Sequence, residues 1–155
     1  MIIRRAKTAD TEKIKDLLLQ VNNVHSDGRP DLFKRDFRKY NDEELAELFR
    51  DETRPVFVAE DGGSVLGYAF CVMIDHTKDN NFTDIKTLYI DDLCVDEKIR
   101  GKHVGSALYD YVKKYAKESG CYNLTLNVWS CNPNAEAFYR SRGLKPQKTT
   151  LETIL

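Results

Sequence analysis

The apolar residues of this chain change their spacing repeatedly, and that alternation limits the folds open to it. Ile14, Leu17, Leu18 and Val21 recur at i, i+3, i+4 and i+7, one helical stripe behind a cap at Thr8. The next stretch, NNVHSDGRP, is rich in turn formers and reads as a loop. Two short helical pieces are expected, around Asp31–Phe37 and from Asp42 to Arg50, the second with Leu45, Leu48 and Phe49 on one face.

The period then shortens. PVFVAE, the turn DGGS and SVLGYAFCVMI make a hairpin whose second strand is apolar on both faces, as in a covered central strand. KTLYIDDLCVD is a further strand. Helical spacing returns with Val104, Leu108, Tyr111, Val112 and Tyr115, closed by Gly120, and NLTLNVW alternates as a strand. Asn132 and Pro133 cap and open a last helix that ends at Gly143, and TTLETIL supplies a final strand. The expected fold is α/β (α+β): a mixed, largely antiparallel central sheet flanked by helices. With no repeats and no linker, residues 1–155 read as one domain.

Composition narrows the function. Hydrophobic residues make up 41% and charged residues 32%, enough to bury a core, and no run approaches the roughly 20 apolar residues of a membrane helix. MIIRRAKTAD lacks the apolar run of a secretory signal. Cys71, Cys94, Cys121 and Cys131 form no C-x-x-C pair and the three histidines are scattered, so no metal site is expected and the chain suits a reducing cytoplasm. Net charge is −1, divided as −3 over residues 1–77 and +2 over 78–155. A nucleic-acid-binding domain would cluster its Lys and Arg. The mildly basic second half leaves room for a small anionic ligand.

The segment IDDLCVDEKIRGKHVGSALYDYV carries the chemistry. A strand ends near Asp96 and RGKHVGS opens a helix, whose first-turn N–H groups are unpaired and partly positive. Gly101 and Gly105 let a bulky anion approach, and Arg100, Lys102 and His103 stand beside it, which together describe a pyrophosphate cradle. Alone, this loop reads equally well as a plain helix start. It is neither a Walker loop nor a dinucleotide fingerprint. Tyr139 lies seven residues after Asn132, two helical turns along the same face.

In element order over the whole chain, and most specifically from Asp91 to Leu144, the sequence resembles the GNAT superfamily of acyl-CoA-dependent N-acyltransferases. The family's loop Q/R-x-x-G-x-G/A is filled here by Arg100, Lys102, Val104 and Gly105, with His103 in place of the central glycine. Its second signature, N-x-x-A-x-x-F-Y before a glycine, is matched by Asn132, Ala135, Phe138, Tyr139 and Gly143. The resemblance implies acetyl transfer from acetyl-CoA to a primary amine, in a ternary complex and without a metal.

It also implies roles. Backbone groups of Leu93, Cys94 and Val95 would pair with the pantetheine arm, and backbone donors over Arg100, Gly101, Lys102, His103, Val104, Gly105 and Ser106 would hold the pyrophosphate. Asn132 would contact the pantetheine or cap the last helix, and Tyr139 would protonate the departing thiolate. An acid occupies the position of Asp91 in related polyamine-type enzymes, which makes Asp91 the expected base; on a regular strand Asp91 and Asp92 point to opposite faces. His25, in the loop where this family shapes its acceptor site, is the other candidate. Cys94 as a nucleophile is the lesser alternative. The acceptor would be a small amine, amino sugar or peptide amine, with the acidic first half favouring a cationic one. The competing reading is a non-catalytic CoA-binding sensor or scaffold. The edge offered by TTLETIL makes a homodimer an open expectation.

Overall fold

The computed structural model describes residues 1–99 and 101–155. Strand β1 (Ile2–Arg5) leads through one 3₁₀ turn, Thr8–Asp10, into α1 (Thr11–Gly28). Then follow α2 (Asp42–Leu48), β2 (Val56–Asp61), β3 (Ser64–Asp75), β4 (Lys86–Val95), α3 (Val104–Glu118), β5 (Asn123–Leu126) and α4 (Pro133–Ser141). The sheet runs β1-β2-β3-β4-β5. Its first four strands are antiparallel neighbours, and β5 joins β4 in parallel through the α3 crossover.

Both faces of the sheet are covered, which explains the apolar character of β3 on both sides. On one face Ile14, Leu17 and Leu18 of α1 and Leu45 and Leu48 of α2 pack with Val56, Val58, Tyr68 and Phe70. On the other, Val104, Leu108, Tyr109, Val112 and Ala116 of α3 meet Phe57, Ala59, Ala69, Leu88 and Ile90. Gly67 lies where β3 and β4 come closest: a Cβ there would stand 2.6 Å from the Cys94 carbonyl oxygen. Arg4 fastens the entry to α1, donating to Asp10 at 2.7 and 2.8 Å and to Glu60 at 2.6 Å.

Several expectations need correction. Asp10, not Thr8, stands at the head of α1, and its carboxylate closes the preceding turn by accepting the Lys7 N–H at 2.9 Å. The stretch 22–28 is helix rather than loop. Its turn-forming side chains are spent on the next segment, Asn22 donating to the Lys34 carbonyl and Asn23 bonding Asp36. Residues 31–37 form turns, not a helix, with Asp36 at φ 62°. TTLETIL forms no strand. Residues 145–155 run exposed beyond α4, held at Glu152 by Arg29, so the sheet has five strands among the described residues and TTLETIL is not one of them.

Candidate active site

Strands β4 and β5 are hydrogen-bonded only from Thr87↔Asn123 to Ile90↔Leu126. Beyond Ile90, β4 runs on to Val95 along β3, Leu93 opposite Ala69 and Cys94 opposite Tyr68. The β4–β5 ladder stops at Ile90, and the gap that opens between the two strands beyond it suits an extended ligand with amide groups.

At the head of that gap the β3–β4 register slips: Cys71 pairs with Ile90 but Phe70 with Asp92, leaving Asp91 as an extra residue. Such a bulge reverses the alternation of side chains after it. Ile90 and Leu93 both pack on the α3 face, although three residues apart. Between them, Asp91 and Asp92 both turn to the α1–α2 face. Asp91 there accepts from Lys39 Nζ at 2.7 Å and Tyr40 Oη at 2.8 Å, and Asp92 accepts from Tyr68 Oη at 2.8 Å. This corrects the expectation of opposite faces: the bulge makes the two acids neighbours on one side.

Their environments differ. Asp91 is the more committed, holding an ammonium and a phenol on one oxygen. Burial pushes the Asp92 carboxyl up to about 6, against the opposing pull of the Tyr68 hydroxyl and the Lys39 charge and with some help from Asp91. Tyr139, half-buried on α4, has its hydroxyl held above the ordinary tyrosine range, first by burial and then by the negative charge of Asp92.

His25 sits in the last turn of α1, not in a loop. Its ring packs 5.1 Å from Phe33, which meets Trp129 edge-on at 5.3 Å, and burial followed by the Lys39 charge lowers its basicity. Lys39 therefore acts electrostatically on His25, Asp91 and Asp92 together. Phe33, Tyr40 and Tyr68 carry no functional signal of their own in the sequence, and Asp92 enters there only as the neighbour of Asp91.

The turn into α3 is built for an anion. Gly101 adopts φ 87°, a conformation that favours glycine, and His103 adopts φ 60° without one. Helix α3 begins at Val104 with no side-chain cap and no acid in its first turn, so the N–H groups of Val104, Gly105 and Ser106 face no competing acceptor within their own helix. Lys102 lies in the same turn; Arg100 falls outside the described residues. A Cβ at Gly105 would meet Val95 and Phe138 only at ordinary distances, 3.5 and 3.6 Å. Asn132 caps α4, accepting from the Ala135 N–H at 3.2 Å, with Pro133 behind it. The residues present therefore fit a pantetheine diphosphate. Among the described residues, no group of three or more His, Cys, Asp or Glu could hold a metal ion, and no helix is long and apolar enough to cross a membrane.

Comparison with known proteins agrees with this geometry. The family model "Acetyltransferase (GNAT) family" matches residues 18–144. A curated relative, glucosamine 6-phosphate N-acetyltransferase of Arabidopsis thaliana, is 28% identical over 145 residues, covering 92% of this chain and 88% of that protein. A mutant of the BH1408 protein from Bacillus halodurans, solved by crystallography, superposes with a TM-score of 0.94 at 31% identity, covering 100% of this chain and 99% of that one. An aminoglycoside acetyltransferase from an uncultured soil metagenomic sample, in complex with sisomicin, shares the fold at TM-score 0.70 and 19% identity, covering 99% and 95% of the two chains.

Proposed function

This chain belongs to the acetyltransferase (GNAT) family, and on that footing we propose that it transfers the acetyl group of acetyl-CoA to a primary amine by direct attack in a ternary complex. The observation that carries the reading is the gap beyond Ile90, where the β4–β5 ladder stops, with the start of α3 beside it.

The backbone of Leu93, Cys94 and Val95 would hold the pantetheine arm and orient the thioester carbonyl. The turn over Gly101, Lys102 and His103, with the first N–H groups of α3, would take the pyrophosphate. The acceptor nitrogen forms a bond to the carbonyl carbon and the C–S bond breaks. One proton leaves the nitrogen and one is delivered to the sulfur as the thiolate departs.

For the first proton Asp92 is better disposed than Asp91. A carboxylate at about 6 is a stronger base than an ordinary one, and Asp91 is engaged by Lys39 and Tyr40. Asp91 and Lys39 then set the charge at the acceptor mouth. For the second proton, Tyr139 keeps its hydroxyl hydrogen throughout the physiological range. The aromatic wall of His25, Phe33 and Trp129, beside two carboxylates, suits a small amine, amino sugar or peptide amine with cationic character.

Thermal unfolding with acetyl-CoA beside ATP and NAD tests the cofactor. At a hundred times the dissociation constant, binding adds about 2.7 kcal/mol, a rise of about 5–10 °C in the midpoint for a chain of this size. Amine-dependent thiol release then tests the transfer. A rise with acetyl-CoA alone, followed by release, supports the reading; no rise in a folded sample overturns it.

A further inference from the structure

The connection 29–41 between α1 and α2, which holds no helix or strand, sends a primary ammonium into the candidate site. Lys39 Nζ donates to Asp91 Oδ2 at 2.7 Å and lies 5.5 Å from the centre of the Tyr40 ring. A carboxylate beside the face of an aromatic ring is a seat for an alkylammonium, held by opposite charge and by the negative face of the ring. The charge is also felt further off. It adds to burial in lowering the basicity of His25, and it works against burial at the Asp92 carboxyl. Lys39 thus fills the place where an acceptor's positive charge would be held.

The seat and its occupant are held differently. Asp91 is the bulged residue of β4, and the Tyr40 hydroxyl donates to it at 2.8 Å while accepting from Arg54 Nη2 at 3.2 Å. The Tyr40 ring stacks 5.3 Å from Phe70, a core residue of β3. Asp91 therefore keeps its position when the ammonium leaves. The Lys39 side chain is 48% exposed against 17% for Asp91, so it can turn out into water at little cost. Arg4, by contrast, is tied down by two carboxylates at once, those of Asp10 and Glu60.

We propose that Lys39 is a built-in competitor of the acceptor: its ammonium occupies the seat made by Asp91 and Tyr40, and an amine that carries a second ammonium displaces it. An acceptor whose single nitrogen is the one attacked leaves Lys39 in place. A diamine has to expel Lys39 before its spare charge can reach Asp91, and it gains only the difference between the two ammonium contacts. Lys39 thereby sets how strongly the chain prefers doubly charged acceptors over singly charged ones. The kinetic consequence rests on the acetyl-transfer reading, whereas the seat itself does not.

Lys39→Met, close in shape and uncharged, tests this beside Lys39→Arg, with pentylamine and diaminopentane as acceptors. In Lys39→Met the ratio of kcat/KM for diaminopentane to that for pentylamine should rise about fivefold, the scale of one half-exposed ion pair, and through KM rather than kcat. Lys39→Arg, which keeps the charge, should hold the wild-type ratio. A ratio that stays level or falls in Lys39→Met would overturn the proposal, because Lys39 would then be neutral to the second charge or help to bind it. Calorimetric titration of diaminopentane into the same chains, with CoA present, reads the seat without turnover. Its dissociation constant should fall about fivefold in Lys39→Met. An equal or weaker constant overturns the proposal even where neither amine releases thiol. Tighter binding without any thiol release overturns the acetyl-transfer reading alone.

Discussion

The first 116 residues and the last 39 are built differently. The first part packs two helices on one face of β1–β4 and a third on the other, with Tyr68, Phe57, Leu17 and Leu108 at 1% exposure or less. The last part contributes β5, α4 and a tail, all half-covered or exposed. Yet the candidate chemistry lies along their seam, with Asp91 and Asp92 on the rigid side and Tyr139 on the loose one. A site split in this way can draw precision from the packed part while the less stable part opens to admit and release ligands.

That contrast can be tested by where mutations are felt. The largest effect on stability should come from Leu108→Ala in the packed part, about 3 kcal/mol by denaturant unfolding. Phe138→Ala, on half-covered α4, should cost about half of that in the isolated chain. An equal cost would mean that α4 is fully buried in solution.

Asp92→Asn should lower turnover about 100-fold, within the usual range for loss of a proton acceptor, while raising stability. The sign follows from its carboxyl: it stays protonated to about 6 when folded but only to about 3.9 when unfolded. Above pH 6 folding therefore confines a charge that the amide does not carry. The variant's higher unfolding midpoint should be plain at pH 8 and vanish below pH 4. Asp91→Asn should act mainly on the KM of cationic amines.

Tyr139→Phe should lower turnover by about tenfold, less than a typical general acid contributes, because a thiolate is already a fair leaving group. Acetyl-CoA binding, read from the thermal midpoint, should survive. The smallest effect belongs to His103→Gly, which removes a side chain from a left-handed position and should stabilise the chain by about 0.5–1 kcal/mol.

The sequence made the packed part legible because its signals are local. The α1 stripe, the DGGS turn and the α3 stripe of Val104, Leu108 and Val112 each specify structure within a few residues. The site was half legible. The glycine turn and Tyr139 stand out by spacing, but the bulge at Asp91 depends on β3 and β4 together. A trace of it was present: Leu88 and Ile90 keep one phase and Leu93 and Val95 the other, a slip across the two acids that an unbroken strand would not show. Lys39 and Tyr40 could not be placed, because nothing local brings that loop to β4. The tail misled for the opposite reason: its β-branched residues favour a strand, but a strand needs a partner, and none pairs with it among the described residues.

The most direct test of the account is the pH dependence of amine-dependent thiol release from acetyl-CoA, across a panel of primary amines, for the wild type beside Asp91→Asn and Asp92→Asn. Since a protonated Asp92 cannot accept a proton, kcat/KM in the wild type and Asp91→Asn should fall as pH drops through about 6. In Asp92→Asn that inflection should vanish along with most of the rate. An inflection lost in Asp91→Asn but kept in Asp92→Asn would contradict the assignment of the base, and no thiol release with any amine would contradict the activity itself.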